Sequence, residues 1–330
     1  MTLAALALLA ALGGDLRVGY RVLDLREGER TVATALWYPT EAEPREFLYG
    51  GGPNRGKVAP DAAPRQGHGP CPLLVFSHGY GGGGTGSVFL CEALAARGWI
   101  VAAPDHEDRD KAVRIRTGAQ KIDGVAYLRR ARALAASGRD IDRKAHAYRL
   151  DDLAQVLDRL MESDEFNALV DWNRVAAGGH SLGGFTALGI AGAIEGRRDE
   201  RVKAVLLFSP GVFMYSKEEF AAVKVPTMFF LGERELGEER QGTTKSDLAA
   251  AAFGAFPAPK YYLEVRGASH FSFNNRSSEA AAAGLLSGTE DQFDVIRKYA
   301  IAFLEKHVAW RDDGGVLERD DPRLSRYRRE

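Results

Sequence analysis

The sequence is short of cysteine, of net charge and of long apolar runs, and each shortage removes a class of protein. Two cysteines in 330 residues, Cys71 and Cys91, cannot staple a disulfide-built scaffold; an oxidising compartment would allow them to pair, and buried free thiols are the preferred reading. Lys and Arg total 44 against 45 Asp and Glu, a formal net charge of −1. A dedicated nucleic-acid binder carries a basic excess or stripe, so no nucleic-acid partner is expected. No run reaches the ~18 apolar residues that would span a bilayer. Residues 2–12 (TLAALALLAAL) have the length of a secretory h-region, but no Lys or Arg precedes Arg17 to supply its basic flank. Residues 1–14 are read as an apolar arm or signal remnant, with cytoplasmic and secreted locations equally open. At the other end, 311–330 is mostly charged and is expected to be a solvated tail.

Glycine is plentiful, at 37 residues, and clustered. Around the clusters, strand-like runs recur at Leu16–Leu25, Thr31–Tyr38, Leu73–Ser77, Trp99–Ala103, Arg174–Ala177, Val202–Phe208, Pro226–Leu231 and Lys260–Val265. The later ones are near-continuous apolar runs, as strands covered on both faces require. Helical patterns lie between them: Leu150, Leu153, Val156, Leu157 and Leu160 share one face, as do Phe293, Ile296, Ala300, Phe303 and Leu304. The alternation predicts an α/β fold in one domain over 15–310, a mostly parallel eight-stranded sheet with helices on both faces. Residues 41–70 read as a long surface loop. Only Gly211–Val225 separates the sixth and seventh runs, so no large cap domain is expected, and Thr117–Tyr148 is the candidate lid.

The sharpest motif is Gly179-His180-Ser181-Leu182-Gly183, a G-x-S-x-G with an apolar strand before it and a helix-competent stretch after it. A serine at the tip of a tight strand-to-helix turn takes a strained backbone, and its neighbours two residues away must be tiny. A serine alcohol needs a general base, usually a histidine oriented by a carboxylate, and on such turns the order is Ser, acid, His. Of the seven histidines only His270 and His307 follow Ser181, and His270 sits in a loop just after the last strand-like run. His270 is therefore the expected base, and His180 is treated as structural. The acid should follow the run ending at Leu231; Glu235 is favoured, with Glu233 as the alternative and Glu238 behind it.

A second glycine cluster, His78-Gly79-Tyr80-Gly81-Gly82-Gly83-Gly84, follows an apolar strand and admits two readings. In one, the backbone N–H groups of Tyr80 and Leu182 converge on a developing oxyanion. In the other, Gly79-x-Gly81-x-x-Gly84 with Asp105 about 20 residues on is a dinucleotide fingerprint, and the protein is an NAD-dependent oxidoreductase. The second leaves Ser181 and His270 unused, and two strands precede this one where a Rossmann unit usually begins its domain. The first is preferred, so no cofactor is expected. The run Asp105-His106-Glu107-Asp108 cannot turn four adjacent side chains onto one ion, so no metal is expected either.

These residues resemble the α/β-hydrolase superfamily, and more narrowly its platelet-activating factor acetylhydrolase and dienelactone hydrolase-like branch, which is also similar to polyester hydrolases and chlorophyllases. The resemblance rests on ALWYPT (35–40), PLLVFSHGYGG (72–82), PDHEDRD (104–110), RLDDLAQVLDRL (149–160), GGHSLGGFTA (178–187) and RGASHFSF (266–273). It implies Ser181 as nucleophile, His270 as base, and Tyr80 and Leu182 as oxyanion donors. Acetylhydrolases of this group place an aspartate after the strand that follows the nucleophile helix. The matching stretch Leu207-Phe208-Ser209-Pro210 has none, which turns the search to the next strand and Glu235. The expected activity is carboxylic ester hydrolysis through an acyl-enzyme, on short-acyl or exposed small-molecule, lipid or polymer esters. The competing functional class is a catalytically inactive member acting as a binding protein.

Overall fold

The computed structural model describes residues 16–52, 54–67, 69–136, 140–235, 239–240, 243–275 and 287–330. The arm over 1–14 and Glu238 lie outside the described residues.

Eleven strands form one sheet. They are β1 (Arg17–Glu27), β2 (Arg30–Thr40), β3 (Arg45–Leu48), β4 (Arg55–Pro60), β5 (Cys71–Ser77), β6 (Ile100–Pro104), β7 (Val170–His180), β8 (Val202–Phe208), β9 (Thr227–Gly232), β10 (Lys260–Val265) and β11 (Leu324–Arg329). Their spatial order is β11-β10-β9-β8-β7-β5-β6-β2-β1-β4-β3. The six strands from β6 to β10 run parallel. Both margins contain antiparallel pairs, β2 on β6, β1 on β2 and β3 on β4 at one side and β11 on β10 at the other.

All eight expected strand runs are present, but the sheet has three more strands and is mixed. β3 and β4 occupy the stretch read as a surface loop, and their largely polar sequences (REFL, RGKVAP) give no apolar run to find. β11 lies inside the segment expected as a solvated tail. Its sequence LSRYRR reads as solvated, yet Leu324 is buried and Arg326 lies 3.4 Å from the Glu264 carboxylate on β10. Charged side chains suit a strand that closes a sheet edge, because they discourage further pairing.

Period-two alternation splits the core between the two faces of the sheet. On β5, Leu73 and Val75 join one cluster while Leu74 and Phe76 join the other. The first cluster packs beneath α3 (Tyr148–Met161), through Leu150, Leu153, Val156, Leu157 and Leu160. The second packs beneath α1 (Val88–Ala95) and α7 (Glu290–Leu304). Between them come α2 (Gly124–Ala136), α4 (Leu182–Leu188), α5 (Lys217–Ala222) and α6 (Lys245–Ala255). The connection between β8 and β9 holds only one 3-10 turn and the six-residue α5. Among the described residues no helix is long and apolar enough to cross a membrane. Cys71 and Cys91 are both free and buried.

In a parallel sheet, loops at the carboxyl ends of the strands share one edge, where ligands usually bind. Here β5 leads into the glycine loop, β7 into Ser181, β8 into Ser209, β9 into Glu235 and β10 into His270.

Candidate active site

Ser181 stands between β7 and α4 with φ 56° and ψ −117°, the strained conformation its motif requires. The flanking glycines are enforced by packing: a Cβ on Gly179 would lie 2.2 Å from the Gly183 carbonyl oxygen, and one on Gly183 would lie 1.9 Å from that of Ser77. Neither position has room for a side chain.

The Ser181 Oγ lies 2.9 Å from Nε2 of His270. On the far side of the ring, Nδ1 lies 3.2 Å from Oε2 of Glu235 and 2.6 Å from the Ser209 hydroxyl. Glu235 is buried on a short 3-10 turn directly after β9, and four groups hold it. The Gly232 N–H donates to Oε1 at 2.8 Å, Lys245 Nζ to Oε2 at 3.0 Å, and Ser209 Oγ lies 2.8 Å from both oxygens; His270 is the fourth. Burial alone would push the Glu235 pKa up, but the His270 hydrogen bond and charge, Lys245 and the Gly232 N–H outweigh it and hold the carboxyl well below the usual range. Glu233, the alternative acid, accepts instead from the Gly267 N–H at 2.7 Å and lies 3.8 Å from Arg266.

The glycine loop runs directly against the Ser181 turn. A Cβ on Gly79 would sit 3.2 Å from the Ser181 Cβ, and Tyr80 is the residue that follows Gly79 in the loop. Leu182 is the first residue of α4, where N–H groups have no intrahelical acceptor. The loop is braced from below. Asp105 accepts from the Gly84 and Ile115 N–H groups at 2.9 and 2.8 Å, so the carboxylate that a dinucleotide reading assigns to ribose is engaged in holding the loop. Asp108 accepts from Gly81 N–H at 2.8 Å and His106 lies 2.7 Å from Asp152, both buried, while Glu107 faces outward to Lys111 and Arg114. Among the described residues no cluster of three or more His, Cys, Asp or Glu is placed to hold a metal.

A cleft of about 290 Å³ opens beside Tyr80, lined by Arg130, Leu134, Ile141, Asp142 and His146. α2 is fastened to the loop there: Tyr127 stacks on Tyr80 at 6.0 Å, and Arg130 and the Tyr80 hydroxyl both donate to Asp110. Val125 and Leu128 on α2 are exposed.

Residues 140–309, more than half of the chain, match the family described as PET hydrolase-like. The chain belongs to that family. Residues 54–124 match a second family of the same branch, platelet-activating factor acetylhydrolase, isoform II. A platelet-activating factor acetylhydrolase from Cavia porcellus is 24% identical over 285 residues, 77% of this chain, and the match spans 62% of that relative's length. The solved structure of a ferulic acid esterase from Streptomyces cinnamoneus superposes with a TM-score of 0.69 at 22% identity, covering 96% of this chain and 95% of that one, and so shares its fold. The fold is that of the α/β-hydrolases.

Two further residues of this PET hydrolase-like chain reach the site: His180, read in the sequence as structural, and Ser209, not read there as a site residue. His180 Nε2–H donates to the His270 carbonyl at 2.8 Å, with the two rings 4.9 Å apart, and so holds the loop that carries His270. Ser209 sits where the sequence lacks an expected aspartate, and it carries φ 43°, rare for a residue with a side chain. Nothing in the local sequence marks Ser209 as a partner of His270.

Proposed function

We propose that this chain hydrolyses carboxylic esters by two-step acyl transfer, with Ser181 as nucleophile, His270 as general base and acid, and Glu235 as the orienting carboxylate. The observation that carries the reading is the continuous contact from Ser181 Oγ to His270 Nε2 at 2.9 Å, with Glu235 buried behind Nδ1. With Nδ1 protonated, Nε2 is bare and takes the Ser181 proton as Oγ attacks the ester carbonyl. The N–H groups of Tyr80 and Leu182 receive the charge that develops on the carbonyl oxygen, each contributing on the order of 3 kcal/mol of barrier lowering. His270 then protonates the leaving alcohol, and water repeats the sequence on the acyl-enzyme.

The substrate we infer is a short-acyl or exposed ester. The short connection after β8 supports this by leaving the carboxyl edge open. The segment 117–148, with α2 laid over Tyr80, is the candidate lid on that side.

The test is hydrolysis of p-nitrophenyl acetate and butyrate. Ser181→Ala is expected to lose on the order of 10⁴-fold or more in kcat, and Glu235→Gln about 10²–10⁴-fold. Undiminished turnover in Ser181→Ala overturns the mechanism; undiminished turnover in Glu235→Gln alone reassigns the acid.

A further inference from the structure

We propose that Ser209 is a positioning residue which links Glu235 to His270, so that the base is oriented through a hydroxyl as well as by the carboxylate. The proposal rests on the reading of Ser181, His270 and Glu235 given above and extends it by one group.

The distances carry it. His270 Nδ1 is 2.6 Å from Ser209 Oγ but 3.2 Å from Glu235 Oε2. The same hydroxyl lies 2.8 Å from each carboxylate oxygen. A hydroxyl has one proton to give and lone pairs to receive. An ionised carboxylate only accepts, so the Ser209 proton goes to Glu235 and its lone pair faces Nδ1–H. That order fixes the ring as the Nδ1–H tautomer and leaves Nε2 bare toward Ser181. The carboxylate cannot easily move closer to the ring on its own, because Gly232 N–H and Lys245 hold it from the other side. Ser209 occupies the shorter path.

The backbone is built to hold the hydroxyl there. Ser209 is 3% exposed, its N–H donates to the Phe230 carbonyl at 2.8 Å, and its φ is 43°. A residue kept at positive φ by its surroundings, at the end of a central strand, does not drift. Glycine would meet this φ without strain, so a serine here retains a hydroxyl against local backbone preference.

The experiment compares wild type with Ser209→Ala, Ser209→Gly, Glu235→Gln, Ser209→Ala/Glu235→Gln and Ser181→Ala on p-nitrophenyl butyrate. The His270 Nδ1 proton is followed by its downfield ¹H NMR resonance. The glycine variant removes the hydroxyl while relaxing the backbone, so it separates loss of function from loss of fold. Both single Ser209 variants are expected to lower kcat by about 10–100-fold with KM within about twofold, as for a group acting only on the reacting base. The downfield resonance is expected to shift. The double variant is expected to be little slower than Glu235→Gln alone, since both residues act through one ring nitrogen. Wild-type kcat in both Ser209 variants, an unmoved resonance, or losses that multiply in the double variant overturn the proposal. If Ser181→Ala stays active, the triad reading itself falls; if it is inactive while the Ser209 variants are fast, only the role of Ser209 falls.

Discussion

Arg149 donates to the His78 carbonyl at 2.7 Å while its other nitrogens hold Asp108 at 2.9 and 2.6 Å. Both side chains are buried, and Tyr148 and the Gly81 N–H complete the Asp108 shell. Burial would push the Asp108 carboxyl up, but Arg149 outweighs it and holds the group well below the usual carboxylate range. One ion pair thus fixes the backbone of the glycine loop on two sides, at His78 before Tyr80 and at Gly81 after it.

Replacing Arg149 with Met leaves Asp108 buried and unpaired. Breaking a buried pair from one side costs about 3–5 kcal/mol, so Arg149→Met is expected to unfold at markedly lower urea concentration. A change under about 1 kcal/mol would show that water or another group reaches Asp108. Arg149→Lys is expected to recover only part of the loss, because an ammonium cannot hold Asp108 bidentately and reach the His78 carbonyl as well.

Gly79 and Tyr80 separate backbone from side chain at the proposed oxyanion site. Tyr80→Phe removes only the hydroxyl bonded to Asp110 at 2.5 Å and leaves the N–H in place; kcat is expected to stay within about threefold. Gly79→Ala puts a methyl 3.1 Å from His180 Nδ1 and 3.2 Å from the Ser181 Cβ, forcing the loop outward. A displacement near 1 Å can cost about 10²-fold, so kcat is expected to fall by about 10–100-fold with stability little changed. Equal effects of the two substitutions on p-nitrophenyl ester turnover would count against a backbone donor at Tyr80.

What the sequence made readable was whatever physics confines to a few adjacent residues. The Ser181 turn announces itself because two glycines are needed where Gly179 meets Gly183 and Gly183 meets Ser77. The buried strands announce themselves as apolar runs. The acid was narrowed by chain order to the stretch just after β9, which ends at Gly232, and the structure separates Glu235, which faces His270, from Glu233, which faces Gly267. What stayed hidden depends on partners far along the chain. β11 pairs with β10 across some 60 residues, and its arginines look solvated until Glu264 and Glu318 are seen opposite them. Ser209 gains its position only when β8 and β9 are laid side by side.

Glu235 also gives a pH dependence whose sign can be worked out. Its folded-state pKa lies below the ordinary glutamate value, with burial opposed and outweighed by His270, Lys245 and the Gly232 N–H. The unfolded chain therefore binds this proton more readily, and the stabilisation is present above the unfolded pKa of about 4.3. It is lost as pH falls below that value toward the folded one. Urea unfolding at pH 7, 4 and 3 is expected to show a smaller acid loss in Glu235→Gln than in wild type. Identical acid slopes would mean that Glu235 is no more ionised in the folded chain than in the unfolded one.

β10 reads KYYLEV, with six buried residues and strong strand formers, and without β11 its outer edge would present unpaired backbone groups. β11 covers that edge with a ladder that begins where Lys260 and Glu330 exchange backbone hydrogen bonds at 2.8 and 3.0 Å. Tyr327 packs on Tyr299 at 5.1 Å and donates to the Leu317 carbonyl, while the Arg328 guanidinium lies 4.3 Å from the Phe253 ring centre. Deleting residues 320–330 removes all of these contacts and leaves an apolar edge that can pair with another copy. The shortened chain is expected to melt at a lower temperature and to scatter light in proportion to its concentration on mild warming. A milder variant, Leu324→Asp, charges the buried start of the strand and should lower Tm in the same direction without exposing the whole edge. If both proteins keep the wild-type Tm and stay monodisperse, β11 is an ornament on a sheet already complete at β10.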